Sequence, residues 1–387
     1  MIVALLTAVI LLLVLVKEAN GNFVYWTNDG GTTIGRAKLN GTGVNNSFVA
    51  GLNDPNGIAV DSKFIYWSQG TGADSSIGRA NLDGTGANPN FIPNSAGVSS
   101  PAGVAVTTTG VYWSNGVTIG HANLDGSNPV ANSIPVSGNA CGVATDQTFV
   151  YWLDASIGQR IGRAGLDGSG ANQAFIGGVS PSCGIAVDSN FVYWAAGSSA
   201  IGRAPVGGGT ANNSFIPSAA SAIASGVAVN PQFIFWGNLG PPAFVGRADL
   251  NGSSPNPSLV AGPSNPRLLA AAPSNKVTIN SITKKKKKGT AIINAKVPGP
   301  GQVTIANTGP ITEAGAAAVK QIGLTLTAAS SFKLAVKPKG QTAKKLKKKG
   351  KAGVKVFVTF TPAGVAGVAN SEVVKTKLIK QRKKKKR

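Results

Sequence analysis

The chain is predicted to be all-β: a six-bladed β-propeller followed by an immunoglobulin-like β-sandwich. Three observations carry this. A motif of about 42 residues recurs six times between residues 23 and 275. Each copy holds four short β-rich runs separated by turn residues, which is the pattern of a propeller blade. From residue 276 the copies stop, and apolar–polar alternation continues with a very different charge.

The first residues stand apart from both units. Ile2 to Val16 is an apolar run broken only by Thr7. As a helix it would span roughly 22 Å, short of a bilayer core of about 30 Å. That length suits the apolar region of a signal peptide better than a spanning helix. No Lys or Arg precedes the run, and Lys17-Glu18-Ala19 is a poor cleavage site. Residues 1–19 therefore read as a signal peptide, with a short membrane anchor as the alternative. Either reading places the remainder outside the cytoplasm, secreted or associated with the cell envelope.

Residues 20–275 hold the repeats. All six Trp fall in one motif, at Trp26, Trp67, Trp113, Trp152, Trp194 and Trp236, each preceded by Tyr or Phe. An Ile/Val-Gly-Arg/His-Ala segment follows, at Gly35, Gly78, Gly120, Gly162, Gly202 and Gly246. Next comes a turn pair such as Asn40-Gly41, Asp83-Gly84 or Asp125-Gly126. Such pairs join antiparallel strands because both central residues need positive φ. An outer apolar segment (Ser47-Phe48-Val49) and a run such as Gly57-Ile58-Ala59-Val60-Asp61 complete the copy. The first copy lacks this last run on its leading side. Pro266 to Ala272 supplies it, and is expected to pair with the strand around Trp26, closing the ring and removing open edges.

These residues resemble the YWTD repeats of the low-density-lipoprotein-receptor class B type, which form six-bladed propellers. The Tyr-Trp pair, the Ile-Gly-Arg and the Leu-Asp-Gly of Leu82-Asp83-Gly84 match that pattern. The fourth motif position departs: it is Asn28, Gln69, Asn115, Asp154, Ala196 and Asn238. In that family the Asp helps tie neighbouring blades, so only Asp154 keeps the tie, and Asn would have to remake it elsewhere. The resemblance implies a binding module that meets an extracellular protein or envelope ligand on a propeller face. It also offers an alternative, because propeller hydrolases and lyases of the lactonase kind place Glu, His, Asp or Asn around a channel metal.

The composition opposes that alternative. Residues 20–275 contain no Glu and one His, His121, and the chain has two Cys. Calcium held by Asp and Asn oxygens stays open, but no cluster with ligand spacing appears. No cofactor is therefore expected, and no catalytic residue is assigned. The six Trp read as packing between blades. Arg36, Arg79, Arg163, Arg203 and Arg247 share one repeat position, with His121 in the third copy. They are expected to stack on aromatic rings or to pair with Asp61, Asp146 and Asp188. Cys141 and Cys183 share another position on adjacent blades. They form the only candidate disulfide, and both the bond and two free thiols remain open.

Residues 276–381 read as seven strands near 276–283, 289–297, 301–309, 319–328, 331–338, 351–361 and 371–381. Residues 382–387 are a basic tail. This half resembles the Lys-rich immunoglobulin-like modules that end many secreted bacterial proteins. Charge divides the chain: residues 20–275 carry 9 Lys/Arg and 11 Asp, whereas 276–387 carry 27 Lys/Arg and 2 Glu. The lysines cluster at Lys284, Lys285, Lys286, Lys287 and Lys288, then at Lys344, Lys345, Lys347, Lys348 and Lys349. Both of these are expected in loops. A third cluster is Lys383, Lys384, Lys385 and Lys386. Because strands alternate in direction, all three should gather at the end away from the propeller. An anionic wall polymer or membrane surface is the expected partner there. Nucleic acid is disfavoured, because the half has 25 Lys, 2 Arg and no Tyr or Trp for base reading or stacking. A monomer is expected.

Overall fold

The computed structural model describes residues 23–379, apart from residues 62, 147, 155–158, 198, 218–222, 264, 273–276, 286–287, 298–300, 307–321, 327–329, 339 and 363–369. Residues 1–19 and the tail from 382 thus lie outside the described residues. No described helix is long and apolar enough to cross a membrane.

Six four-stranded antiparallel sheets account for residues 23–271. The second is typical, with Pro55–Val60, Phe64–Gln69, Ser76–Asn81 and Asn88–Pro93 in sequential order. The first strand of each sheet lies against the first strands of both neighbouring sheets, so the six form a closed ring, a β-propeller. Pro266–Ala271 completes the first sheet by pairing with Phe23–Asn28, with Trp26 opposite Leu269 and Val24 opposite Ala271. The expected closure is present, and it joins the two ends of the ring by main-chain hydrogen bonds.

The repeat glycines explain how six sheets fit around one axis. A Cβ on Gly103 would come within 2.7 Å of the Val143 nitrogen in the next blade. Gly57, Gly142, Gly184 and Gly226 meet backbone of the following blade in the same way. Leading strands therefore pack main chain against main chain, which only glycine permits.

The second glycine series answers to tryptophan. Trp67 faces Gly78 across the strand pair, and a Cβ there would enter the indole. The same holds for Gly35, Gly120, Gly162, Gly202 and Gly246, each under the Trp of its own blade. All six Trp are fully buried, as the packing reading expects.

The C-terminal unit contains two sheets. One holds Thr278–Lys285, Thr290–Val297 and Ser330–Val336. The other has the order Ile322–Leu326, Gly301–Ala306, Lys351–Pro362, Asn370–Ile379. Ile293, Val303, Leu334, Val356, Val358 and Phe360 form one buried cluster that takes residues from both sheets. One expectation fails: Lys344 to Lys349 are not in a loop but on the helix Gly340–Lys349. Lysine is a good helix former, the basic last turn complements the helix dipole, and Leu346 anchors the helix in the core. Gly350, at φ 72°, then ends it and donates to the Leu346 carbonyl.

Candidate functional site

The axis of the propeller is the first place to look for chemistry. It is lined by Ile58, Gly103, Val104, Gly142, Val143, Cys183, Ile185, Val227, Leu268 and Leu269. The free space is about 20 Å³, close to the roughly 10–15 Å³ that a single water requires. Among the described residues no group of three or more His, Cys, Asp or Glu could hold a metal. The side chains of the wall are aliphatic, and the surface that reaches the free space is mostly main-chain nitrogen and oxygen.

Cys141 and Cys183 are disulfide-bonded, with Cα atoms 5.2 Å apart. The two residues begin neighbouring leading strands, so the bond staples the fourth blade to the fifth beside the axis. Equivalent points on adjacent blades fall within bonding range because the glycine-rich strands approach so closely.

The arginines are structural. Arg79 lies over Phe64 at 4.3 Å and under Phe91 at 3.9 Å. It donates to the Leu124 carbonyl, at 3.0 Å, in the turn of the next blade. Arg36, Arg163 and Arg203 are stacked between two Phe rings likewise. Arg247 stacks on Phe233 and donates to the Leu39 carbonyl across the ring closure, at 2.7 Å.

Pairing of these arginines with Asp61, Asp146 and Asp188, the other sequence reading, is not what the carboxylates do. Asp61 accepts from the Tyr66 hydroxyl and from the backbone of Lys63 and Phe64. Asp146 and Asp188 repeat this with Tyr151 and Tyr193. The sixth blade shows the logic: Phe235 removes the hydroxyl, and Asn230 replaces the carboxylate while still capping Gln232 and Phe233. Burial, and secondarily the facing carboxylate, pushes Tyr66, Tyr151 and Tyr193 well above the ordinary tyrosine range. Burial alone raises Tyr25, whose blade has Ala272 in the Asp position, to about 12.

The inter-blade tie also moves. Asn28 stays within its own blade, accepting from the Trp26 indole and donating to Thr33 and the Asn46 carbonyl. Gln69 accepts from Trp67. The preceding motif residue reaches across instead: Thr27 donates to the Asn56 carbonyl and Ser68 to the Ala102 carbonyl.

Among the described residues, two lysine segments come to one end of the C-terminal unit. Lys285 pairs with Thr290, and Ala291 pairs with Val336, so Lys284, Lys285, Lys288 and Lys337 share one edge of the first sheet. Lys351 pairs with Ile379, which puts the start of one strand and the end of another at one edge of the second sheet. The lysine helix joins Val336 to Lys351 and bridges those edges. Lys284, Lys285, Lys288, Lys344, Lys345, Lys347, Lys348 and Lys349 are all exposed. Lys286, Lys287, Lys383, Lys384, Lys385 and Lys386 lie outside the described residues.

Ring, register and repeat chemistry define the class of this molecule: a β-propeller built from YWTD-like blades with a basic β unit attached. The low-density lipoprotein receptor repeat class B model matches residues 22–62, which are three strands of the first blade and the leading strand of the second. No curated protein matches the chain. Among solved structures it resembles a chain of a nidogen/laminin complex at 18% identity, with a TM-score of 0.49, covering 65% of this chain and 98% of that one. TolB from Acinetobacter baumannii is similar at 11% identity and TM-score 0.48, covering 66% and 67%. A gluconolactonase from Xanthomonas campestris follows at 15% identity and TM-score 0.42, covering 56% and 84%. The ring itself rests on strand register rather than on these likenesses.

Proposed function

We propose that this is an exported, non-catalytic binding protein. Its propeller is a rigid platform, and its C-terminal unit attaches it to an anionic envelope surface. The observation that carries the reading is the register that brings the lysine segments to one end of the C-terminal unit. Each Lys near an anionic surface contributes about 1 kcal/mol, so several acting together hold a protein there without any shaped pocket. The narrow axis, with aliphatic side chains and no titratable side chain in its lining, supports a platform rather than an enzyme. The Cys141–Cys183 bond fits an oxidising compartment.

We read the C-terminal unit as an immunoglobulin-like sandwich. Its strands one, two and five form one sheet, and four, three, six and seven form the other. This is the familiar two-sheet arrangement, with the fourth strand on the second sheet.

Sedimentation with vesicles tests the attachment. Vesicles containing phosphatidylglycerol should retain the full chain at about 50 mM salt and release it at about 500 mM, where screening is nearly complete. Neutral vesicles should not retain it. Replacing Lys344, Lys345, Lys347, Lys348 and Lys349 by Gln should weaken retention at low salt. Equal retention by neutral vesicles, or none by anionic vesicles and anionic wall polymer alike, overturns the reading.

A further inference from the structure

The third blade breaks the repeat at one corner, and the breaks are coordinated. Position by position, Gly110 stands where the other five blades have Phe23, Phe64, Phe149, Phe191 and Phe233. His121 replaces the arginine. Val130, opposite His121 in the register, replaces an asparagine present in all five other blades. Ser133 replaces the outer aromatic, a change shared only with Leu259 of the sixth blade. In the second blade the same frame is filled by Phe64, the Arg79 guanidinium and Phe91. Here two phenyl rings and a guanidinium are replaced by a hydrogen, a hydroxymethyl and an imidazole.

What remains is a platform with an electrostatic sign. His121 lies parallel on Tyr112, with ring centres 5.8 Å apart and planes 25° apart. The Tyr112 hydroxyl donates to the Leu166 carbonyl, at 3.2 Å, in the turn of the fourth blade. In the second blade the arginine makes the equivalent bond to the next turn. Val130 is 45% exposed beside this pair, one of the few large apolar side chains so placed. Asp125 feels the Arg79 guanidinium of the second blade, Asp146 is bonded to Tyr151, and Asp154 is ion-paired with Arg160, so the carboxylate that acts on this corner is Asp167. Hydrogen bonds from Ser127 and Ser169 hold the exposed Asp125 and Asp167 below the usual carboxylate range, so both stay ionised. Asp167 lies close enough to Tyr112 to act on its hydroxyl.

We propose that this corner of the third blade receives an arginine side chain of a partner polypeptide. A guanidinium stacks on aromatic faces and donates in a planar fork to carboxylates, which an ammonium does less well. The turn of the fourth blade supplies the Asp167 carboxylate, His121 over Tyr112 supplies the flat face, and Val130 supplies apolar cover for the side-chain stem. The four other blades with an outer aromatic show that their version of this frame accepts a guanidinium between rings. The third blade keeps the frame and leaves the cation to a partner. This corner shares no residue with the lysine segments, and the proposal does not depend on envelope attachment.

His121 is the only histidine in the chain, so its Hε1 resonance reports on this corner alone. The full chain is titrated with N-acetyl-arginine amide and, separately, with N-acetyl-lysine amide of equal charge. The expected result is a saturable shift of the His121 Hε1 resonance with the arginine probe, at least several-fold tighter than with lysine. The variant Ser133→Phe refills the outer slot while keeping the reporter, and should abolish the shift. Equal responses to both probes, no response to either, or an undiminished response in a folded Ser133→Phe variant overturns the proposal.

Discussion

Arg79 of the propeller and Lys347 of the C-terminal unit carry the same charge in opposite settings. Arg79 lies between two rings and is hydrogen-bonded to the next blade. Lys347 is exposed on a helix that Leu346 anchors in the core. The guanidinium is weakly hydrated and planar, so it can serve as a structural tie inside a protein; the ammonium is strongly hydrated and stays in water. The contrast teaches that charge in this chain has two uses. One holds blades together and the other faces outward.

Experiments that break the comparison can be ranked by expected effect. The largest loss should come from the packing that the arginines only supplement. Trp67→Ala should cost about 3–5 kcal/mol, read as a fall in the denaturation midpoint. Breaking the Cys141–Cys183 bond with the double Ser variant opens a loop of 42 residues. It should cost about 4 kcal/mol by loop entropy, seen as a lower Tm that reductant no longer changes. Arg79→Lys keeps the charge but loses the stack and the fork, and should cost about 1–2 kcal/mol. If that variant were as stable as the parent, the structural role assigned to the arginines would fall. Lys347→Gln should stay within about 0.5 kcal/mol of the parent and change only surface retention. A loss as large as that of Arg79→Lys would erase the distinction between the two regions.

The pH dependence sharpens the same contrast. Tyr25, Tyr66, Tyr151 and Tyr193 have folded pKa values raised above the ordinary value of 10.0. Their contribution is complete below that value. It is lost as pH rises from there towards the folded values, because the unfolded chain ionises first. The propeller should therefore unfold in strong alkali, with tyrosinate absorbance appearing together with the loss of structure rather than before it. Burial lowers His121, so its smaller contribution is lost as pH falls below 6.5, the ordinary histidine value.

Much of this was legible in the chain itself. The spacing of Trp26, Trp67 and their four partners gave the sheets and their number. The missing first strand gave the closure at Leu269. Strand alternation gave the common end for Lys285 and Lys351. Other features had no local signal. A run of lysines reads equally as a loop or a helix, and burial of Leu346 in the core decided for the helix. The Asp61–Tyr66 and Arg79–Phe64–Phe91 partnerships join strands that the sequence does not show side by side. Lining up the six copies would have exposed the joint departure of Gly110, His121, Val130 and Ser133.

The sequence by itself determined the period, the strand boundaries and the charge division, because glycine, turn pairs and apolar alternation act over a few residues. Only the tertiary structure decided which hydroxyl crosses between blades, that Cys141 reaches Cys183, and that the axis is narrow and walled by aliphatic side chains. Those outcomes depend on how closely six sheets approach one another. That distance is set by glycines of one blade meeting the backbone of the next, a relation between residues some forty positions apart.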